Sequence, residues 1–378
     1  MAVEEEAIPE LPRDMILVAR DLRVWFPLRR SLREFLARIR RYVRAVDGIN
    51  FHIKRGEVFC LVGESGSGKT TTGRALLGLA PISSGHVYYR PKKEVLEELR
   101  EMGVVERDGV IDLYTLGPRE FRVLRRDIQM IYQDPFGSLN PRYRVKDILE
   151  EPLIIHKLVE DKEQRMDLIA RMLELVKLVP PEDFMERFPH QLSGGQRQRV
   201  AVARALILNP SFVIADEPVS MLDVSIRAEI LELMLDLKKK FNLTYLFITH
   251  DLAVARYICD RIGVLYLGKL VEVGEAREII ADPLHPYTRA LVAAILEPNP
   301  ENRKKLREVP IKGEIPSAVN IPPGCRFHPR CVVFEQRREE FKELCPRVEP
   351  PLVEVKPGRY VACFLYDEVR RLVEHKMS

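Results

Sequence analysis

A glycine-rich stretch in the first quarter of the chain has the residue spacing that phosphate binding requires. The residues GESGSGKT follow an apolar run, EVFCLV, and precede a helical pattern. Glycines let the backbone N–H groups converge on a triphosphate, and a helix that starts near Lys69 points its positive end at the anion. We expect Lys69 to reach the β- and γ-phosphates and the Thr70 hydroxyl to ligate Mg²⁺. The predicted nucleotide-binding residues are Gly63, Glu64, Ser65, Gly66, Ser67, Gly68, Lys69, Thr70 and Thr71.

Two acidic residues end a second apolar run, SFVIADEP. We expect Asp216 to hold Mg²⁺, mainly through water, and Glu217 to polarise the attacking water as general base. An apolar run followed by two acids is weak evidence alone. Downstream of a complete phosphate-binding loop, it predicts hydrolysis of a nucleoside triphosphate.

Residues 15–285 resemble the ATPase subunit of ABC transporters, because five further features follow in the order found in that family. They are Gln133 in YQDPFGSLNP, the sequence LSGGQ, the pair Asp216–Glu217, the sequence SMLD and His250 in FITHDLAVA. The resemblance implies an α/β fold, the P-loop NTPase ABC cassette. Its parts are a mainly parallel sheet with flanking helices, an antiparallel β subdomain and a helical subdomain at about 135–200.

The same resemblance implies ATP and Mg²⁺ as ligands and gives roles to two of these residues. Gln133 would ligate Mg²⁺, contact the attacking water and link both to the helical subdomain. His250 would sense the γ-phosphate. A histidine after an apolar strand is otherwise an ordinary core or surface residue.

The stretch QLSGGQRQRVAVARAL predicts a second anion site. Its serine and two glycines precede a helix, so their N–H groups lie at the positive end. In ABC proteins this site faces the ATP of the other subunit, which implies that two cassettes sandwich two ATPs. The alternative is a simple N-cap, in which the serine only starts the helix. The residues implied at the partner's ATP are Ser193, Gly194, Gly195, Gln196 and Asp223, with Met221 where the family more often has alanine.

The adenine ring needs an aromatic platform, which the family places upstream of the phosphate-binding loop. Phe26 in DLRVWFP lies at the matching position, and Trp25 and Tyr42 are rivals. The intervening residues 28–44 read as an amphipathic helix with seven arginines, either docking on a membrane or partner or solvated at the domain edge. Its apolar face is Leu32, Phe35, Leu36, Ile39 and Val43.

The chain has six cysteines, which fall into two groups. Cys60 and Cys259 lie in apolar stretches and read as small buried hydrophobic residues. The other four are separated by 5, 13 and 17 residues near the C-terminus, and in a reducing cytosol they favour a metal site over two disulfides. No C-x-x-C pair is present, which argues against common zinc knuckles and ferredoxin patterns. These four are Cys325, Cys331, Cys345 and Cys363.

The C-terminal part narrows the family further. DPLHPYTRALVAAILEPNP, GCRFHPRC and the remaining cysteines resemble the extension of cassettes that serve oligopeptide and dipeptide importers. That resemblance implies a [4Fe–4S] cluster on the four cysteines, while zinc and unliganded core cysteines stay open. The predicted organisation is a tail at 1–14, an ABC ATPase domain at 15–282 and the extension at 283–378.

Composition limits the function classes. A formal charge of +4 on 378 residues gives no nucleic-acid footprint. No apolar run is long enough to span a membrane, and the acidic N-terminus is not a secretory signal. We therefore expect a peripheral protein at the cytoplasmic face of the cell membrane.

The resemblance implies an ATP-hydrolysing subunit of a peptide importer, with three kinds of partner. They are a second cassette (a different, related chain), two transmembrane permease subunits and an extracellular solute-binding protein. The long segment before the phosphate-binding loop favours the member of the pair with an extended N-terminus. Alternatives are the same role in an oligosaccharide or nickel importer, and a non-transport ABC ATPase in translation or DNA repair.

Overall fold

The computed structural model describes residues 8–28, 40–294 and 310–377. Its strands form two sheets. The strands are β1 (Met15–Pro27), β2 (Tyr42–Lys54), β3 (Val58–Val62), β4 (Ser84–Tyr89), β5 (Glu106–Arg107), β6 (Val110–Asp112), β7 (Ile128–Ile131), β8 (Phe212–Asp216), β9 (Thr244–Thr249), β10 (Arg261–Tyr266), β11 (Lys269–Glu275), β12 (Val353–Lys356) and β13 (Arg359–Val361).

An antiparallel sheet has the order β2-β1-β4-β6-β5, and an eight-stranded sheet has the order β12-β13-β11-β10-β3-β9-β8-β7. The five strands from β10 to β7 are parallel. The helices are α1 (Lys69–Leu76), α2 (Lys93–Glu101), α3 (Pro118–Leu124), α4 (Pro135–Ser138), α5 (Val145–Ile155), α6 (Lys162–Leu175), α7 (Pro181–Met185), α8 (Gly194–Leu206), α9 (Val224–Phe241), α10 (Leu252–Ile258), α11 (Ala276–Ala281), α12 (Pro286–Ala293), α13 (Val332–Gln336), α14 (Arg338–Phe341) and α15 (Asp367–Met377).

The central parallel strands are buried on both faces, and their side chains alternate between two hydrophobic cores. In β3, Val58, Cys60 and Val62 pack with the helices, while Phe59 and Leu61 pack with the antiparallel sheet. Because these strands are parallel, their carboxyl ends meet at one edge of the sheet. That edge therefore carries the residues that follow β3, β8 and β9, which include the predicted site.

The helices α4 to α8 occupy residues 135–206, where the sequence predicted a helical subdomain. The C-terminal region shares the sheet of the cassette, because β13 pairs with β11 and β12 pairs with β13. The predicted boundary at residue 282 therefore does not separate two sheets. Part of the predicted N-terminal tail is also packed, with Ile8 and Leu11 buried against Tyr88 and Val110.

One expectation about the arginine-rich segment differs from the structure. Val43 was assigned to the arginine-rich helix, but β2 begins at Tyr42 and pairs Val43 with Phe26, because the residues on either side of the segment form one hairpin. The other apolar positions of that helix, Leu32, Phe35, Leu36 and Ile39, lie outside the described residues. Within the described part of the chain, no helix is both long and apolar enough to cross a membrane.

Cys60 is fully buried in the core and Cys259 packs against it, as the sequence predicts, but the prediction did not include their pairing. Their Cα atoms lie 6.0 Å apart and their sulfur atoms are joined as a disulfide. The neighbouring backbone explains the proximity, since Val58 N–H donates to Asp260 Oδ2 at 2.8 Å and Asp260 N–H donates to the Val58 carbonyl at 2.9 Å. The sequence separation of 199 residues left no local signal for this pair.

Candidate functional site

The phosphate-binding loop needs glycine at specific positions. Gly68 has a φ of 108°, and a Cβ there would lie 2.1 Å from the Ala45 carbonyl oxygen. Gly63 has a similar constraint, since its Cβ would lie 2.2 Å from the Leu265 carbonyl oxygen. Only glycine satisfies these contacts, so packing against the β2 and β10 backbones fixes the loop.

Lys69, the first residue of α1, is buried at the centre of this loop. Its Nζ donates to the carbonyl oxygens of Gly63 at 2.7 Å and Glu64 at 3.0 Å. Burial lowers the pKa of Lys69, and the charges of Glu217, Asp216 and Glu64 oppose that shift. An anion in the loop would therefore stabilise the protonated amine.

The predicted Mg²⁺ ligands Thr70 and Asp216 lie together. The Thr70 hydroxyl donates to Asp216 Oδ1 at 2.9 Å. Burial raises the pKa of Asp216, the Thr70 hydrogen bond lowers it, and the nearby Glu217 charge raises it. A buried carboxylate beside a second carboxylate is a fitting oxygen ligand for a hard divalent cation.

Glu217 lies between the two other predicted catalytic residues. Gln133 Nε2 donates to Glu217 Oε2 at 3.0 Å, and His250 Nδ1 lies 3.0 Å from Glu217 Oε1. Glu217 has a φ of 47°, a left-handed conformation that costs on the order of 1–3 kcal/mol outside glycine. Its N–H donates to the Ile248 carbonyl at 2.9 Å, which ties the strained residue to β9. The structure thus brings Gln133, Glu217 and His250 into one hydrogen-bonded group.

The signature residues begin α8 on the surface. Ser193 is exposed, and it forms a capping box in which its Oγ accepts from Gln196 N–H at 3.3 Å and its N–H donates to Gln196 Oε1 at 3.0 Å. The structure therefore shows the capping interaction of Ser193, and its role at the partner's ATP stays a prediction. Gly195 has its own packing reason, because a Cβ there would lie 2.7 Å from Ile226 Cγ2. The positive end of α8 still faces solvent, and the predicted partner-facing Asp223 is exposed as well.

The three aromatic candidates for adenine stacking differ in their surroundings. Trp25 donates from Nε1 to Asp47 Oδ1 at 2.9 Å, lies under the Arg44 guanidinium and contacts the Tyr42 ring at 5.9 Å. Phe26 is 36% exposed at the end of β1. An exposed ring is the better candidate for stacking on a base, and Phe26 stays our prediction.

The four C-terminal cysteines lie near enough to one another for their charges to interact. Burial raises the pKa of every one of these thiols, that of Cys325 to about 12. In each of the six pairs, one thiol contributes to raising the pKa of another, and Cys325 N–H donates to the Cys345 carbonyl at 2.8 Å. As placed in the described residues, no group of three or more His, Cys, Asp or Glu side chains could hold a metal ion. The predicted [4Fe–4S] site is therefore not confirmed.

Sequence reasoning missed the contacts that the extension makes with the phosphate-binding loop. Arg330 forms a two-point ion pair with Glu64, and the Tyr287 hydroxyl accepts from Glu64 N–H. Arg330 and Glu64 are 266 residues apart, so no local pattern could have joined them. The dense mixture of Arg and His between the first two cysteines was the available hint that this segment contacts an acidic surface.

One sheet edge thus carries the predicted phosphate-binding loop, the Thr70–Asp216 pair and a glutamate hydrogen-bonded to Gln133, an arrangement typical of a cassette that hydrolyses a nucleotide. Family models match two parts of the chain. One, described as ABC transporter, covers residues 46–220, and one, described as oligopeptide/dipeptide transporter, C-terminal region, covers residues 271–337.

Curated relatives are similar along nearly the whole chain. The putative oligopeptide transport ATP-binding protein YkfD of Bacillus subtilis is 45% identical over 86% of this chain and 91% of its own length. The oligopeptide transport ATP-binding protein AppF of Bacillus subtilis is 41% identical over 94% and 98%. The dipeptide transport ATP-binding protein DppF of Escherichia coli is 41% identical over 93% and 95%.

Solved structures agree on the fold. A dimeric, post-hydrolysis structure of the ATP-binding cassette MJ0796 with ADP and Pi has a TM-score of 0.55 and 28% identity, covering 69% of this chain and 99% of that one. The cbiO1 protein of Clostridium perfringens has a TM-score of 0.56 and 25% identity, covering 71% and 92%. The chain belongs to the ABC transporter family of ATP hydrolases, in its oligopeptide/dipeptide transport branch.

Proposed function

We propose that this protein is the ATP-hydrolysing subunit that powers import of dipeptides or oligopeptides through an ABC transporter. The observation that carries the proposal is the combined match of cassette and C-terminal region, with relatives named for oligopeptide and dipeptide transport at 41–45% identity. The partners are a second, different cassette, two permease subunits and an extracellular solute-binding protein. The subunit acts peripherally at the cytoplasmic face of the membrane.

We propose the following roles at the site. ATP lies in the loop from Gly63 to Thr71, with its adenine on Phe26 and its Mg²⁺ held by Thr70, Asp216 and Gln133. Glu217 accepts the proton of the attacking water, and His250 contacts the γ-phosphate. The exposed signature residues and Asp223 contact the ATP of the partner cassette. A closed pair of cassettes drives the permeases, and hydrolysis reopens the pair.

We also propose that Cys325, Cys331, Cys345 and Cys363 hold a [4Fe–4S] cluster. Four partly buried thiols in one extension, each of which affects the pKa of another or is affected by one, support this, because thiolate sulfur is the ligand that such clusters and zinc prefer. The bound cluster would cross-link the extension, which has a small core of its own. Protein purified without oxygen should contain iron and sulfide and absorb visible light, and each Cys→Ser variant should lose them. Stoichiometric zinc instead of iron would overturn the cluster.

Reconstitution of the whole importer tests the transport function. Vesicles that contain the two cassettes, the permeases and the solute-binding protein should take up a labelled peptide only with ATP. The Glu217→Gln variant should abolish uptake while the complex still assembles. Uptake of an oligosaccharide or a nickel complex in place of peptides would overturn the proposed solute. ATP hydrolysis by assembled subunits without uptake of any of these three solute classes would overturn the import function itself.

A further inference from the structure

Glu64, the second residue of the phosphate-binding loop, is held through its backbone and its side chain. Its N–H donates to the Tyr287 hydroxyl at 2.9 Å, and its carbonyl oxygen accepts from Lys69 Nζ at 3.0 Å and from Ser67 N–H at 3.2 Å. Its carboxylate accepts two hydrogen bonds from Arg330. Of these contacts, those from Tyr287 and Arg330 come from the C-terminal extension. The extension therefore contacts the loop that binds phosphate.

The geometry of the Arg330–Glu64 pair is directional. The two terminal nitrogens of Arg330 donate to the two carboxylate oxygens at 2.7 and 3.1 Å. A two-point pair of this kind fixes the orientation of the carboxylate as well as its position. The Arg330 side chain is only 7% exposed and Glu64 is 27% exposed, so solvent screens this pair less than a surface pair.

Arg330 is itself held in place by its surroundings. Its Nε donates to the Lys312 carbonyl at 3.3 Å, and its guanidinium lies 5.9 Å from the centre of the Tyr266 ring. The Tyr266, Tyr287 and Phe327 rings pack on one another at centroid distances of 4.7 to 5.4 Å. Both contacts to Glu64 therefore rest on one rigid aromatic cluster between the extension and β10.

The pair lies where small displacements matter for binding. The Lys69 amine, which must turn toward phosphate, is bonded to the carbonyl oxygens of Gly63 and Glu64. Rotation of the peptide unit between Gly63 and Glu64 would move both the Gly63 carbonyl that accepts from Lys69 and the Glu64 N–H that donates to Tyr287. A loop fixed before binding loses less conformational entropy when the nucleotide binds.

We propose that Arg330 is a positioning residue for ATP binding: it fixes Glu64, and through Glu64 the phosphate-binding loop, so that nucleotide affinity depends on the docked C-terminal extension. Arg330 acts through Glu64 and contacts no nucleotide. The proposal depends on the location of Glu64 in the loop and is independent of the transported solute and of any metal on the cysteines.

The test compares variants of the full chain by nucleotide affinity and by ATPase kinetics in the assembled importer. Arg330→Met should weaken binding of both ATP and ADP by roughly 5- to 20-fold, because it removes one partner of a largely buried ion pair. The Michaelis constant for ATP should rise by a similar factor, while kcat changes by less than about twofold. Arg330→Lys keeps the charge with a single donor group, so its nucleotide affinity should lie between that of the parental protein and that of Arg330→Met. If Arg330→Met fails to fold, the Arg330→Lys comparison carries the test.

Two controls separate positioning from other roles. Lys356→Met breaks an exposed 2.9 Å bridge between the extension and Asp282, away from the loop, and should leave nucleotide affinity unchanged. The double variant Glu64→Gln/Arg330→Met should bind ATP about as weakly as Arg330→Met alone, since one positioning contact can be lost only once. Return of the double variant to parental affinity would show that Arg330 only cancels the Glu64 charge, which overturns the proposal. A folded Arg330→Met protein with parental affinities and a lowered melting temperature would also overturn it, because the pair would then be purely structural.

Discussion

At the scale of single residues, the site depends on one carboxylate held in an uncommon conformation. Glu217 adopts a left-handed φ of 47° directly after the last residue of β8. Hydrogen bonds to its backbone and contacts from Gln133 and His250 hold it there. Strain retained at a residue that follows the Mg²⁺ ligand is consistent with positioning for catalysis.

Replacement of Glu217 by glutamine tests its role as general base. Glutamine has the same shape and cannot accept a proton, so kcat in the assembled ATPase should fall by at least about 100-fold. Binding of Mg-ATP should be retained, because Thr70, Asp216 and the loop are unchanged. Phosphate release measures kcat, and equilibrium titration with Mg-ATP measures binding. Glu174→Gln, on the exposed side of α6, is the matched control, and a Glu217→Gln protein with parental kcat would refute the role.

The glycines of the loop give a second prediction, measured as free energy of unfolding without nucleotide. Gly68→Ala should destabilise the protein by at least about 2 kcal/mol, because a Cβ at φ 108° would lie 2.1 Å from a carbonyl oxygen. Gly66 also has a positive φ, 78°, but a Cβ there meets no atom within 4 Å. Gly66→Ala should therefore cost only about 1 kcal/mol. Equal losses in urea titrations would contradict the packing argument.

At this scale the sequence predicted what lies close together in the chain. The loop from Gly63 to Thr70 was predicted from its spacing, and the pair Asp216–Glu217 from its position after an apolar run downstream of that loop. The link from Arg330 to Glu64 and the Cys60–Cys259 pair join residues about 200 or more positions apart. Such contacts arise from tertiary packing, which a single sequence does not encode in any local pattern.

At the scale of elements, a buried acid organises the junction between cassette and extension. Glu272 on β11 is 0% exposed and accepts hydrogen bonds from the Leu284 and His285 N–H groups and from Arg359 of β13. His285 then caps α12, because its Nδ1 accepts from Tyr287 N–H at 3.0 Å. The junction therefore positions Tyr287, which contacts the phosphate-binding loop.

Acid should destabilise this junction through His285. Burial, with a smaller contribution from Arg289, lowers the pKa of His285 from 6.5 to about 3. His285 lines a cavity together with Arg326 and Glu349. Glu272 accepts a hydrogen bond from the His285 N–H. The unfolded chain binds a proton below pH 6.5 and the folded chain does not until about pH 3. The contribution of neutral His285 to the free energy of unfolding is thus fully present above pH 6.5 and is lost as the pH falls toward 3.

The matched variant for this prediction is His285→Asn, which keeps a capping acceptor but cannot ionise. Between about pH 6 and about pH 4, the slope of unfolding free energy against pH should decrease by about one proton. His52, whose pKa burial lowers to about 4, keeps its own contribution in both proteins. Urea titrations at several pH values measure the slope, and an unchanged slope would exclude His285 as its source.

Elements with strong patterns were predictable and short polar ones were not. The apolar runs of β3, β8 and β9 fit a parallel sheet, since both faces of each strand are buried. The hairpin of β12 and β13 has four and three residues with mixed polarity, so its addition to the cassette sheet carried no signal. The helical pattern of the arginine-rich segment gave a wrong prediction at its C-terminal end, where Val43 belongs to a strand and pairs with Phe26.

At the scale of the whole molecule, the proposed function assigns the chain two separate nucleotide-contacting surfaces, the phosphate-binding loop and the signature residues. The phosphate-binding loop lies at the carboxyl ends of β3 and its neighbours, and the signature residues begin α8 more than a hundred residues later. Ser193 and Asp223, both implied at the ATP of the partner cassette, are exposed. We therefore expect a second cassette to place its loop against this signature.

The mass of the Glu217→Gln protein in saturating Mg-ATP tests this requirement most directly. Sedimentation or light scattering is measured with and without nucleotide, alone and with the companion cassette. We predict a dimer of cassettes in Mg-ATP, and we expect it to dissociate when ATP is replaced by ADP. A Glu217→Gln protein that binds Mg-ATP but remains monomeric, both alone and with the companion cassette, would contradict a nucleotide shared between two cassettes.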